Sequence, residues 1–212
     1  MRSNENATPQ PAWRSAFRAP GETPLGAEFF ARGVEAVARG LLGARLVSTV
    51  GGITTAGVIV ETEAYRGGDD PASHAATRVG RTDRNAAMFG PPGRAYVYRI
   101  YGMHWCVNVV TGQEDEPQAV LLRALDPLVG REEMARRRGR ADALASGPGR
   151  LCQALSITGS LYGHDLRRPP LVIRAGWSVL DSQVGVSGRI GVRAAADWPL
   201  RFFVRGNPSV SR

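Results

Sequence analysis

Two carboxylates, an amide, a histidine and several phenols lie close together in this chain. Glu61-Thr-Glu63-Ala-Tyr65 closes a strongly apolar stretch, and His74, Tyr98, Tyr101 and Asn108 follow it. These side chains suit the binding of a flat, uncharged or cationic base and the cutting of a bond beside it. Aromatic faces stack, an amide or imidazole reads the edge of the base, and a carboxylate takes up a proton. In an extended strand Glu61 and Glu63 share a face, roughly 7 Å apart at two strand rises. Two carboxylates at that range resist ionising together, a condition under which one can serve as a base. Spacing alone fits two solvated strand-end charges equally well.

The other members also carry two readings each. Tyr96 and Tyr98 share a face of one strand, which is compatible with core packing. Tyr101 has the opposite parity and falls between two strands, where a large exposed aromatic points to binding. Such a residue on a loop tip can enter a step between DNA bases. His74, in a polar loop, fits a turn residue or a base contact. Asn108 sits in an apolar strand, and a buried amide must find partners, either in the fold or on a bound base.

Composition narrows the chemistry. The 212 residues carry a formal net charge of +8, which favours a polyanionic partner such as nucleic acid. Every one of the 27 Lys-plus-Arg positions is arginine. No lysine side chain is available to attack a sugar or carbonyl carbon through a Schiff base. Arginine is also the better bidentate partner for phosphate. Cys106 and Cys152 lie far apart in apolar surroundings. Their spacing fits neither a metal site nor an iron–sulfur site, and both read as buried small hydrophobes in a reducing compartment. No metal is expected. No apolar run approaches the ~20 residues of a membrane helix. The first 20 residues lack the apolar segment of a secretion signal, so a cytoplasmic location is expected.

The elements that must position these residues follow from periodicity. Met1–Pro20 reads as a mobile tail and residues 21–212 as a single domain. Phe30, Val34, Val37 and Leu41 predict an amphipathic helix over about 27–42. A strand over 45–50, a Gly51-Gly52 turn and a return strand from Thr54 deliver Glu61–Tyr65 at its end. Residues 66–93 show no sustained period, and such a long loop is usually functional or disordered. Strands at 95–100 and 105–110 form a hairpin with Tyr101-Gly-Met-His104 at its tip. A further strand runs from Ala119 to Leu125, and a basic helix is predicted over 131–145. Within that helix Arg136, Arg137, Arg138 and Arg140 fit a solvated face or phosphate contacts. Ser146 is placed as the cap of a short helix through Leu155, whose start, with Arg150, offers backbone amides to a phosphate. Short strands are predicted at 171–174, 188–192 and 200–204. The sum is an α+β domain built on a curved antiparallel sheet, with a protruding β-hairpin and surrounding helices.

In order along the chain, these segments resemble the alkyladenine (3-methyladenine) DNA glycosylase family. The resemblance rests on Val60-Glu-Thr-Glu-Ala-Tyr65, Arg84-Asn85 with Met88-Phe89, Pro92-Gly93 and Tyr96-Val-Tyr98. It continues through Tyr101-Gly-Met103, Cys106-x-Asn108, Leu121-Leu-Arg-Ala-Leu125, Ser146-Gly-Pro148, Leu151-Cys-Gln-Ala-Leu155, Leu200-Arg-Phe202 and Val204-Arg-Gly206. It extends from about Leu25 to Ser211.

The resemblance implies a monofunctional enzyme that excises alkylated or deaminated purines, of the 3-methyladenine, hypoxanthine and ethenoadenine class, in base excision repair. Glu63 is then the general base, with Arg123 and the backbone of Ile190 holding the water. Tyr65, His74 and Tyr98 line the base pocket, and Asn108 restricts purines bearing an amino group. Tyr101, supported by Met103, wedges into the duplex, and Arg84 and Arg150 are expected to contact DNA. The implied partner is double-stranded DNA holding a damaged purine, with no cofactor, no membrane and a monomeric enzyme. Two other classes fit the same residues: a non-catalytic nucleic-acid-binding module of this fold, and a hydrolase of free nucleosides.

Overall fold

The computed structural model describes residues 23–76 and 78–211; the expected tail, Met1–Pro20, lies outside the described residues. In chain order the elements are α1 (Ala27–Phe30), α2 (Val34–Gly40), β1 (Arg45–Ser48), β2 (Thr55–Tyr65), β3 (Ala95–Ile100) and β4 (His104–Thr111). They continue with β5 (Gln118–Val129), α3 (Arg131–Arg138), α4 (Pro148–Ala154), β6 (Leu171–Arg174), β7 (Val184–Ser187) and β8 (Arg201–Val204). The fold is α+β, a single domain on a curved antiparallel half-barrel, as the sequence led us to expect.

The sheet runs β3-β4-β5-β2-β1-β6, with β8 paired to both β2 and β7. β2 is its organiser. One edge of β2 pairs with β5 along nearly its whole length. The other is divided, β1 taking residues 55–58 and β8 taking residues 61–63. Apolar residues cover both faces: Ile59 lies in the core with Leu122, Leu125 and Phe30, while Val58 and Val60 pack with Leu42, Ala124 and Val204. A strand buried on both sides reads as a continuous apolar run, which is how residues 56–60 appear in sequence.

The helices are shorter than periodicity predicts. The helix expected over 27–42 breaks into α1 and α2, because Gly33 takes an extended conformation (φ −57°, ψ 147°) at the start of α2. Phe30, Val34, Val37 and Leu41 are nevertheless all buried. The basic helix ends at Arg138 and not at Ala145, closed by left-handed Gly139 (φ 66°). Its arginines serve mainly to tie it down. Glu133 pairs with Arg136 and Arg137, and Arg137 donates to the Ala154 carbonyl at 3.0 Å while Arg138 reaches Gln153.

Ser146 does not cap α4. Gly147 occupies that position with Pro148 at the first turn, and Ser146 bridges to Ala124. The strand expected at 188–192 is instead β7 at 184–187, and residues 188–192 form a loop anchored by side chains. The hairpin loop has three residues, since His104 pairs with Ile100 inside the ladder.

Candidate active site

Antiparallel pairing sets residues opposite one another on a common face. Following the register, Tyr96 on β3 faces Asn108 on β4, Asn108 faces Leu121 on β5, Leu121 faces Glu63 on β2, and Glu63 faces Arg201 on β8. One row across five strands therefore gathers residues up to 138 positions apart (Glu63 to Arg201). A second pair, Tyr98 and Cys106, lies beside it. Above this face is a cavity of about 510 Å³, lined by Tyr65, His74, Tyr96, Tyr98, Tyr101, Asn108, Arg123 and Ile190, among others.

Glu63 is fully buried at the back of the cavity wall. Its carboxylate accepts from the Ile190 N–H at 2.7 Å and the Tyr65 hydroxyl at 2.9 Å, with Arg123 Nη1 at 3.3 Å. All three partners line the cavity. Burial, and then the charge of Glu63, push the Tyr65 phenol well above its ordinary range, so Tyr65 remains a donor. Two of the donors fall on Oε1 and one on Oε2, leaving Oε2 the freer oxygen.

Glu61 has a different environment, although it too is fully buried. It accepts from Arg201 Nε at 2.6 Å, Arg123 Nε at 3.2 Å, the Ser211 N–H at 2.7 Å and the Ser211 hydroxyl at 2.9 Å. The expectation that the two glutamates act on each other directly is therefore corrected. Arg123 stands between them and bonds both, on the face of β2 that the two glutamates share by strand alternation. The reading as solvated strand-end charges fails as well.

The aromatic wall is tightly organised. Tyr96 and Tyr98 stack with centroids 5.3 Å apart at 27°, and His74 meets Tyr98 edge-on at 4.5 Å. The Tyr96 hydroxyl lies 2.8 Å from His74 Nδ1. Burial, then the nearby Arg84 charge, lower the His74 pKa below its ordinary value, so the ring is neutral near pH 7. Burial pushes the Tyr96 phenol up to about 12. Asn108 donates to the Tyr96 carbonyl at 3.1 Å and lines the cavity.

The loop carrying His74 is held by buried polar residues. Asn85 donates to the His74 carbonyl at 2.9 Å and the Gly80 carbonyl at 2.8 Å. Asp70 accepts from the Arg66 and Ala72 backbone amides and pairs with Arg189, whose Nη2 is 2.9 Å away. The Arg189 guanidinium lies 4.6 Å from the Tyr65 ring centroid.

At the cavity mouth the β3–β4 hairpin presents Tyr101 with 81% and Met103 with 69% of their surface exposed. Tyr101 and Gly102 both have positive φ (52° and 67°), the pattern of a tight type I′ turn. Arg84 is exposed at the rim, its guanidinium 5.8 Å from the Tyr98 ring. Arg150 stands further off on the first turn of α4, donating to the Ser146 carbonyl. The structure thus brings Arg123, Ile190, Tyr65, His74, Tyr98, Asn108 and Tyr101 to the lining of one cavity, with Glu63 buried directly behind three of them, while Met103, Arg84 and Arg150 lie outside the lining.

Sequence reasoning missed Asp70, Arg189, Arg201 and Ser211; Tyr96, read as compatible with core packing, is buried in the core and also lines the cavity. For Tyr96 the shared parity with Tyr98 was the available signal. For the others only pairing across the fold identifies them. Among the described residues, no group of three or more His, Cys, Asp and Glu could hold a metal ion, and no helix is long and apolar enough to cross a membrane.

The sequence pattern of the family described as Methylpurine-DNA glycosylase (MPG) matches residues 28–208. A protein of Methanoculleus marisnigri named "Putative 3-methyladenine DNA glycosylase" is 51% identical over 193 residues, spanning 89% of this chain and 98% of the relative. Proteins of the same name from Rhodopseudomonas palustris and Agrobacterium fabrum are 50% and 48% identical, spanning 93% and 87% of this chain and 96% and 90% of their own. A family pattern that covers every strand and helix of the site, and relatives matched nearly end to end, lead to one conclusion: the chain belongs to the methylpurine-DNA glycosylase (MPG) family.

Proposed function

We propose that this protein is a monofunctional DNA glycosylase that extrudes an alkylated or deaminated purine from duplex DNA and hydrolyses its N-glycosidic bond. The observation that carries the reading is Glu63, a fully buried carboxylate fixed by three donors that themselves line an aromatic cavity. A base within a duplex is out of reach, so it must be flipped at a cost of a few kcal/mol, least for a poorly paired lesion. Tyr65, Tyr98 and His74 supply faces for stacking, and Asn108 supplies an amide at the edge. Tyr101 on the hairpin tip fills the gap left in the stack. Arg84 and Arg150 contact the phosphate backbone.

The bond breaks through an oxocarbenium-like sugar, as in other glycoside cleavages. Glu63 stabilises that charge and takes a proton from water, which must be admitted to Oε2. With no lysine in the chain, water is the nucleophile and the product is an abasic site with the strand intact. Cationic alkylated purines leave readily; neutral ones such as hypoxanthine and ethenoadenine depend more on the enzyme. The protein acts as a monomer in the cytoplasm.

Incubating wild type and Glu63→Gln with duplexes holding hypoxanthine or 3-methyladenine, and measuring free base, tests the reading. Undiminished release by the variant would remove Glu63 from its role. Tight, salt-sensitive binding with no release from any lesion would point to a binding module. Faster cleavage of free nucleosides than of the same lesion in duplex would point to nucleoside hydrolysis.

A further inference from the structure

We infer that the buried Asp70–Arg189 ion pair positions the reactive groups of this site, acting through Glu63 and Tyr65 without touching the substrate. The inference rests on the glycosylase reading above. Both side chains have no exposed surface, and neither lines the cavity. Arg189 bonds both oxygens of Asp70 and also donates to the Ala64 carbonyl on β2 at 3.1 Å. Its guanidinium packs on the Tyr65 ring. The next residue along the chain is Ile190, whose N–H holds Glu63 Oε1 at 2.7 Å.

The segment between β7, ending at Ser187, and β8, beginning at Arg201, lies outside the strand ladder. The Arg189 bonds to Ala64 and Asp70 therefore help set where this segment sits against β2. A shift of Arg189 is passed through one peptide link to Ile190, and so to the carboxylate. Asp70 meanwhile fixes the turn at Arg66–Ala72, from which the chain leads to His74. One ion pair thus couples the carboxylate, a stacking tyrosine and the histidine loop.

Stability alone does not call for such a pair. Well-packed apolar residues of similar volume often replace a buried ion pair with no loss of stability. What apolar residues lack is direction. They cannot bond Ala64, hold the Arg66–Ala72 turn, or fix the angle at which Ile190 presents its amide. Chemistry that depends on alignment to within about 1 Å is sensitive to that loss.

The double variant Asp70→Leu/Arg189→Met separates the two roles. We expect it to melt near the wild-type temperature, yet to release hypoxanthine from duplex at least about tenfold more slowly in single turnover. Lesion-duplex affinity, read in the Glu63→Gln background to prevent turnover, is expected to change by less than about threefold. Arg189→Lys, which keeps a cation against Asp70, is expected to recover part of the rate. A folded double variant with the wild-type rate would overturn the proposal, as would equal losses in rate and affinity. If the double variant does not fold, Arg189→Lys decides: a wild-type rate overturns the proposal, and a slowed rate with unchanged affinity and melting supports it. Absence of base release from wild type overturns the glycosylase reading itself, and this proposal with it.

Discussion

The hairpin tip and the cavity floor place opposite demands on the sequence. Tyr101 and Met103 stand in solvent, in a turn that puts Tyr101 in the left-handed region, and the tip adds little to the core. Glu61, Glu63, Arg123 and Arg201 are buried or nearly so, and each charge is neutralised by named partners. A substitution at the tip should therefore alter function with little effect on stability. On the floor the two are entangled, and they are separable only where a substitution preserves the hydrogen bonds.

The sharpest test of that contrast is Glu63→Gln. The amide oxygen can still accept from the Ile190 N–H, so the fold should survive, while proton acceptance is lost. Base release in single turnover should fall by about 10²–10⁴-fold, the usual span for a general base. Glu61→Ala tests the structural half of the floor. It leaves Arg123 and Arg201 without their shared carboxylate, and urea unfolding should show a loss of about 3 kcal/mol or more. A loss well under 1 kcal/mol would show that the two glutamates are not divided between stability and chemistry.

Tyr101→Ala addresses the tip. Lesion-duplex affinity should weaken by about 1–3 kcal/mol, the range for losing one aromatic contact with a base. The unfolding free energy should move by no more than about 0.5 kcal/mol. A large drop in stability would place Tyr101 with the packed residues after all.

The smallest expected effect concerns His74. Its folded-state pKa lies below the ordinary value of 6.5, by burial and then by Arg84. The unfolded chain therefore binds a proton that the folded chain refuses, and this contribution lowers stability as pH falls from above 6.5 toward the folded value. Comparing unfolding against pH in wild type and His74→Asn should show a shallower acid-side decline in the variant.

The limits of the sequence are instructive at particular residues. The apolar run ending in Glu61–Tyr65 identified β2, because a strand covered on both faces needs no alternation. Tyr101 was legible as exposed because parity excluded it from the face shared by Tyr96 and Tyr98. The break at Gly33 was not legible, since the apolar repeat runs through it unbroken and only the backbone angles record the interruption. Arg189 was one arginine among 27, and Asp70 one acid in a polar loop; nothing local distinguishes either.

Residue types and short-range order determined which groups were available here: a carboxylate near the end of an apolar strand, phenols on a hairpin, and no lysine side chain to attack a sugar. Tertiary structure decided what those groups do. Arg123 reaches both glutamates because β5 lies beside β2, and Arg201 reaches Glu61 because β8 takes the far half of the other edge. The same topology leaves Glu61 fully compensated and Glu63 facing the partners that line the cavity. The environment of a charge is set by neighbours distant in the chain, and strand pairing, a long-range property, chooses those neighbours.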